Sequence, residues 1–135
     1  MTQQNGLNAL QATLLGDNEK GSTYELSARN DTRYLIGFRN KGSISGDHYH
    51  KGISTGKSPE QILLLKGDVE VTCIHIESGE KVVARYSAPV RISIAPLYWH
   101  RLEALTDICF VELNSLEEHK ADTFYDFRPD IADAE

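Results

Sequence analysis

Cysteine is scarce in this chain: Cys73 and Cys109 are the only two among 135 residues, and they form no Cys-x-x-Cys pair. Each lies in an apolar, strand-like run, where a free thiol behaves as a small hydrophobe. They read as free thiols in a reducing cytoplasm, with one disulfide between neighbouring strands as the alternative. Long apolar runs are missing too. No stretch approaches the roughly 20 residues of a membrane span, and residues 1–6 show no charged region leading into an apolar one. A cytoplasmic protein is expected, with no membrane partner. Positive charge is in deficit, 14 Lys and Arg against 20 Asp and Glu, giving a net charge of −6. Such a surface is a poor match for nucleic acid. No serine sits in a Gly-x-Ser-x-Gly elbow and neither cysteine has an activating neighbour, so nothing supports covalent catalysis. The stretch 52–58 suggests a phosphate loop only superficially, with three residues between Gly52 and Gly56 where four are needed.

What remains is a set of histidines. Side chains alternate along a strand, so in Gly46-Asp47-His48-Tyr49-His50 the two imidazoles share a face and Tyr49 takes the other. Glu60 opens the apolar run Gln61–Leu65, and His100 follows the strand-like Ile92–Ala95 and Pro96. Three His and one Glu suit a divalent metal, Fe, Mn, Zn, Ni or Co, in a site with open positions. The expected ligands are His48, His50, Glu60 and His100, with Gln61 an adjacent rival to Glu60.

The rest of the chain reads as short strands between turns, the pattern of an all-β sandwich or barrel in one domain. Thr32–Arg39 alternates, with Tyr34, Ile36 and Phe38 on one face and Arg33, Leu35, Gly37 and Arg39 on the other. Glu60–Leu65 is nearly continuous, as expected of a strand buried on both faces. Val69–Ile76, Lys81–Tyr86, Arg91–Ala95, Leu102–Ala104 and Ile108–Leu113 follow. One helix start stands out: Ser115 with Glu118 forms a capping box that launches a short helix or turn over Leu116–Phe124. The barrel core is expected over about 22–115, with loose tails at 1–6 and 127–135.

Gly42, His48, His50, Glu60 and Gly67 resemble the first motif of the cupin superfamily, and Pro96 with His100 partly resembles the second. The gap between His50 and Glu60 is longer than that family's usual three or four residues, and Leu97 stands where its second motif has glycine. The resemblance implies a cupin jelly-roll β-barrel. Locally, Gly46–Lys51 and Ala121–Asp126 are similar to cupin domains of capsular-polysaccharide biosynthesis proteins. That likeness implies a metal-assisted isomerase or epimerase of a sugar-nucleotide or polysaccharide-pathway intermediate. The alternatives are a non-haem Fe(II) dioxygenase and a non-catalytic small-molecule-binding module.

Three further groups are candidates for proton transfer: His75, if the face carrying Val69 looks inward; Glu112, if Phe110 does; and Tyr34, by its strand face. His119 is expected on an exposed turn, outside the site. Lys51 and Lys57, with Arg33, Arg39 and Arg101, would suit an anionic or sugar-derived small-molecule substrate. A homodimer is expected, because two open sheets leave edges that soluble proteins cover, and Leu7–Ser27 could supply strands to a partner.

Overall fold

A computed structural model describes residues 2–4 and 6–130 of the chain, with side chains from Gly6 onward. Two antiparallel sheets face one another. The larger contains β3 (Thr13–Asn18), β4 (Gly21–Ser27), β5 (Arg33–Arg39), β7 (Glu60–Lys66), β10 (Val90–Ile94) and β12 (Ile108–Glu112), in the order β10-β7-β12-β5-β4-β3. The smaller contains β6 (Ile44–His48), β8 (Asp68–His75), β9 (Lys81–Ser87) and β11 (Tyr98–Ala104), in the order β6-β11-β8-β9. A separate hairpin pairs β1 (Thr2–Gln4) with β2 (Leu7–Ala9). The capping box at Ser115 is formed in both directions and starts α1, Leu116–Ala121.

Both sheets feed one core. Ile62 and Leu64 of β7, Ile92 and Ile94 of β10, and Ile108 and Phe110 of β12 meet Val69 and Val71 of β8 and Leu102 and Ala104 of β11. Period-two alternation explains this selection: the core residues of each strand stand two apart. A second cluster, Tyr49, Ile74 and Trp99, lies on the outer side of the smaller sheet, and Phe124 and Phe127 pack onto it. Strands are described from Thr2 onward, and Phe127 packs on the second cluster. Met1, Asn5 and residues 131–135 of the expected tails lie outside the described residues.

Two expectations about faces need correction. In β5 the inward residues are Leu35, Gly37 and Arg39, so Tyr34, Ile36 and Phe38 point outward and Tyr34 is not in the barrel. The reason is Phe110, whose ring lies against Gly37: a Cβ there would sit 2.3 Å from Cζ. In β7 only one face is buried. Leu63 is half-buried and Leu65 is 53% exposed, because a lone antiparallel sheet has a second sheet on one side only. Register extends this into an apolar row across the outer face, Leu63, Val111, Ile36, Tyr24 and Leu14, on five adjacent strands.

Candidate metal centre

The centre forms where β6 meets β11. His48 pairs with His100, and the register then slips by one residue, so that Gly46 rather than Asp47 faces Arg101. Gly46 takes φ +95° and Asp47 φ +60° in this bulge. A Cβ on Gly46 would stand 2.8 Å from the His100 carbonyl oxygen, so glycine is required. Arg101 holds the displaced Asp47 by two hydrogen bonds of 2.8 and 3.0 Å. Tyr49 turns outward onto Ile74 and Trp99, which returns His50 to the side of His48.

The imidazoles of His48, His50 and His100 are buried, and their ligand atoms lie within 4.8 Å of one another. Backbone carbonyls set the tautomers. His50 Nδ1 donates to the Asp122 carbonyl at 2.6 Å, and His100 Nδ1 to the Tyr98 carbonyl at 3.1 Å. Both Nε2 atoms therefore turn to Glu60, whose Oε1 lies 3.0 Å from His50 and 3.1 Å from His100. Three lone-pair atoms converge, and only an imidazolium proton or a cation relieves them. Ligands at about 2.1 Å from an ion and at right angles stand about 3.0 Å apart, which matches these separations. The donor set fits a divalent metal with neutral imidazoles fixed by their second nitrogen.

Leu97, in place of the glycine, takes φ +70° itself. Its N–H donates to the His50 carbonyl at 2.8 Å, and its carbonyl accepts from Ile76 at 3.0 Å, so the turn keeps a glycine-like conformation while bracing His50. Glu60, not Gln61, faces inward; Gln61 reaches Ser93 on the other side of the sheet.

Of the three proton-transfer candidates the structure brings one to the cluster. Glu112 lines a cavity of about 140 Å³ together with His48, Glu60, His100, Ile62, Leu102 and Phe110. Burial and then the charge of Glu60 push its carboxyl up to about 7. His75 is on the inward face of β8 but at its end, where Nδ1 accepts the amides of Glu77 and Ser78 in the hairpin. Tyr34 lies on the outer face.

Two residues gain importance beyond their sequence reading. Lys57, in the long loop, is fully buried, with Nζ 3.1 Å from Glu60 Oε2 and 3.4 Å from Glu112 Oε1. The signal available was the loop's unusual length. His119 is not on an open turn: it is half-buried on α1, and its ring centre lies 5.3 Å from that of His48. Its position one turn after the Ser115 N-cap was legible, its direction was not.

Electrostatics follow from this crowding. Burial, then the charges of His100 and His50, drive His48 down to about 2. Burial alone would lower His100, but the charge and hydrogen bond of Glu60 outweigh it and raise it. Burial raises Glu60, yet His100, His50 and Lys57 hold it well below the carboxylate range. Cys73 and Cys109 are unpaired thiols, and burial lifts Cys73 to about 11, which keeps it unreactive. No helix among the described residues is long and apolar enough to cross a membrane.

No family model matches the chain, and no curated protein matches it. Solved structures do. CapF with the inhibitor 3-isopropenyl-tropolone superposes with a TM-score of 0.69 at 18% identity, over 87% of this chain and 34% of that one. The capsular polysaccharide assembling protein CapF from Staphylococcus aureus gives 0.68 at 17%, over 87% and 32%. An oxalate decarboxylase of Bacillus subtilis, in a variant with one tryptophan replaced by phenylalanine, gives 0.63 at 16%, over 84% and 29%; the B. subtilis enzyme has Mn(II) centres. This chain spans about a third of the length of these proteins. Two facing antiparallel sheets, three histidines that can hold a metal ion between them, and these superpositions give one conclusion: the chain has the cupin jelly-roll fold.

Proposed function

We propose that the chain is a metal-dependent isomerase or epimerase that moves a proton beside a carbonyl group in a sugar-derived intermediate. The observation that carries this reading is the placement of Glu112 in the cavity of about 140 Å³ that His48, Glu60 and His100 also line. One divalent ion, Fe, Mn, Zn, Ni or Co, held by His48, His50, Glu60 and His100, would supply a Lewis acid that polarises the carbonyl oxygen. Glu112 takes the proton from the neighbouring carbon and returns it. Burial, the largest cause that raises its carboxyl above the usual carboxylate range, suits it to both directions. Lys57 fixes one Glu112 oxygen, so the carboxyl keeps its aim. Ile62, Leu102 and Phe110 form the dry wall. A groove of about 500 Å³, which Lys20 and Asn18 line, shares Arg39, Ser45, Gly46 and His48 with this cavity and has room for the rest of an anionic substrate. The likeness to a capsular polysaccharide assembling protein supports the substrate class.

The test is solvent exchange. With metal bound and oxygen absent, keto-sugar nucleotides should exchange their α-proton with deuterium, and Glu112→Gln should slow this by about 10²–10⁴-fold while retaining its metal. Exchange unchanged in that variant removes Glu112 from the role. Oxygen uptake by the metal-loaded protein would favour the dioxygenase, and a ligand that raises the melting temperature without turnover would favour the binding module.

The homodimer is proposed through the outer face of the larger sheet. Its row Leu63, Val111, Ile36, Tyr24 and Leu14, with Phe38 44% and Leu65 53% exposed, is the contiguous apolar surface that another copy would cover. Sedimentation at micromolar concentration should show a dimer, and Ile36→Glu should give a folded monomer. A monomeric native protein ends the proposal.

A further inference from the structure

We propose that His119 is a fourth imidazole ligand of the same centre, delivered by α1 across the mouth of the barrel. This rests on reading His48, His50 and His100 as metal ligands. His119 lines the cavity that His48, Glu60 and His100 line. Its Nδ1 is buried with no hydrogen-bond partner, and a buried unpaired nitrogen in a polar cluster is where an ion is expected.

The ring spacing agrees. Imidazoles bound at about 2.1 Å place their centres about 3.2 Å from the ion, hence about 4.5 Å apart at right angles and about 6.4 Å apart across it. The three inner rings are separated by 4.8, 4.9 and 5.1 Å. His119 stands 5.3 Å from His48 and 5.8 Å from His50, inside the same window but on its outer side. Its ligand atoms lie outside the 4.8 Å grouping of the three inner imidazoles, so coordination requires the side chain to rotate inward.

The backbone under His119 is fastened to the segments that carry the ligands. Glu118 accepts the Gly56 amide at 3.0 Å, and Glu25 accepts the Leu116 amide at 2.9 Å. Asp122 accepts the amides of Lys51 and Ser54 at 2.8 and 3.1 Å, while its own carbonyl orients His50. The Thr123 hydroxyl donates to the His119 carbonyl. These ties fix the six-residue helix in place, and His119 is its residue that lines the cavity. With four imidazoles and Glu60 around the ion, fewer positions stay open than in a three-histidine site.

The experiment uses the whole chain, stripped with a chelator and reloaded with Co(II). X-ray absorption on the native protein should count four imidazoles, and His119→Ala should count three. The visible Co(II) band should change, and chelator competition should show affinity weakened on the order of 10–100-fold. Three imidazoles in the native protein, or an unchanged band and affinity in His119→Ala, would overturn the proposal and leave the three-histidine centre standing. Failure of the native protein to take up Co(II) would overturn both. The native imidazole count decides the matter even if the variant does not fold.

Discussion

Replacing Lys57 by methionine should destabilise the chelator-treated protein by about 3–5 kcal/mol, the cost of stranding a buried charge whose partner is removed. Lys57 is fully buried, the Glu60 side chain is 3% exposed and Glu112 is 15% exposed, so solvent cannot take over the lost ammonium. Two carboxyl groups would then share a dry site without the cation that lies between them. For a chain of this size the melting temperature should fall by roughly 10–20 °C. Glu112→Gln should cost much less, because Lys57 and Glu60 stay paired. A Lys57→Met protein that melts within about 2 °C of the native one would show that the cation contributes only local geometry.

Metal loading should raise stability by about 4 kcal/mol when free metal exceeds its dissociation constant 1,000-fold, since the ion binds the folded chain alone. The increment should disappear in His50→Ala and in His100→Ala, each of which removes one of the nitrogens set against Glu60. It should be larger in Lys57→Met, where the ion also replaces the missing positive charge. Its pH dependence has a definite sign. Glu60 raises the pKa of His100, and that proton must leave before the nitrogen can coordinate. Affinity should therefore climb as pH rises through the raised His100 value, and fall below it. Thermal melts with and without metal across pH 5.5–8 check both points, at about the interval where imidazoles titrate. Equal melting temperatures with and without each metal would end the metal reading.

Local pattern determined much of this protein. Alternation placed His48 and His50 on one side because side chains in extended backbone reverse at every residue, whatever lies beyond. Ser115 and Glu118 marked a helix start because a capping box satisfies its own amides without help from the rest of the chain. The likeness of His48, His50, Glu60 and His100 to cupin motifs was likewise visible along the chain despite the long gap after His50 and Leu97 in place of glycine, and with it the jelly-roll fold.

Tertiary structure decided the matters that depend on what packs opposite. β5 has apolar residues on both faces, and only the Phe110 ring against Gly37 selects Leu35, Gly37 and Arg39 as the inner set, leaving Tyr34 outside. Leu63 and Leu65 read as buried, yet a run of leucines carries no record of whether a second sheet covers it. Lys57 reads as a loop cation, and becomes part of the site because Glu60 and Glu112 on two other segments provide its charge partners. His75 and His119 exchanged places for the same reason. A hairpin spends the first on its own amides, while ties from Glu25, Gly56, Lys51 and Ser54 turn the second toward the cavity. Periodicity is a property of neighbouring residues and survives in sequence; the partner of a buried charge or ring comes from distant residues, and only the folded chain specifies it.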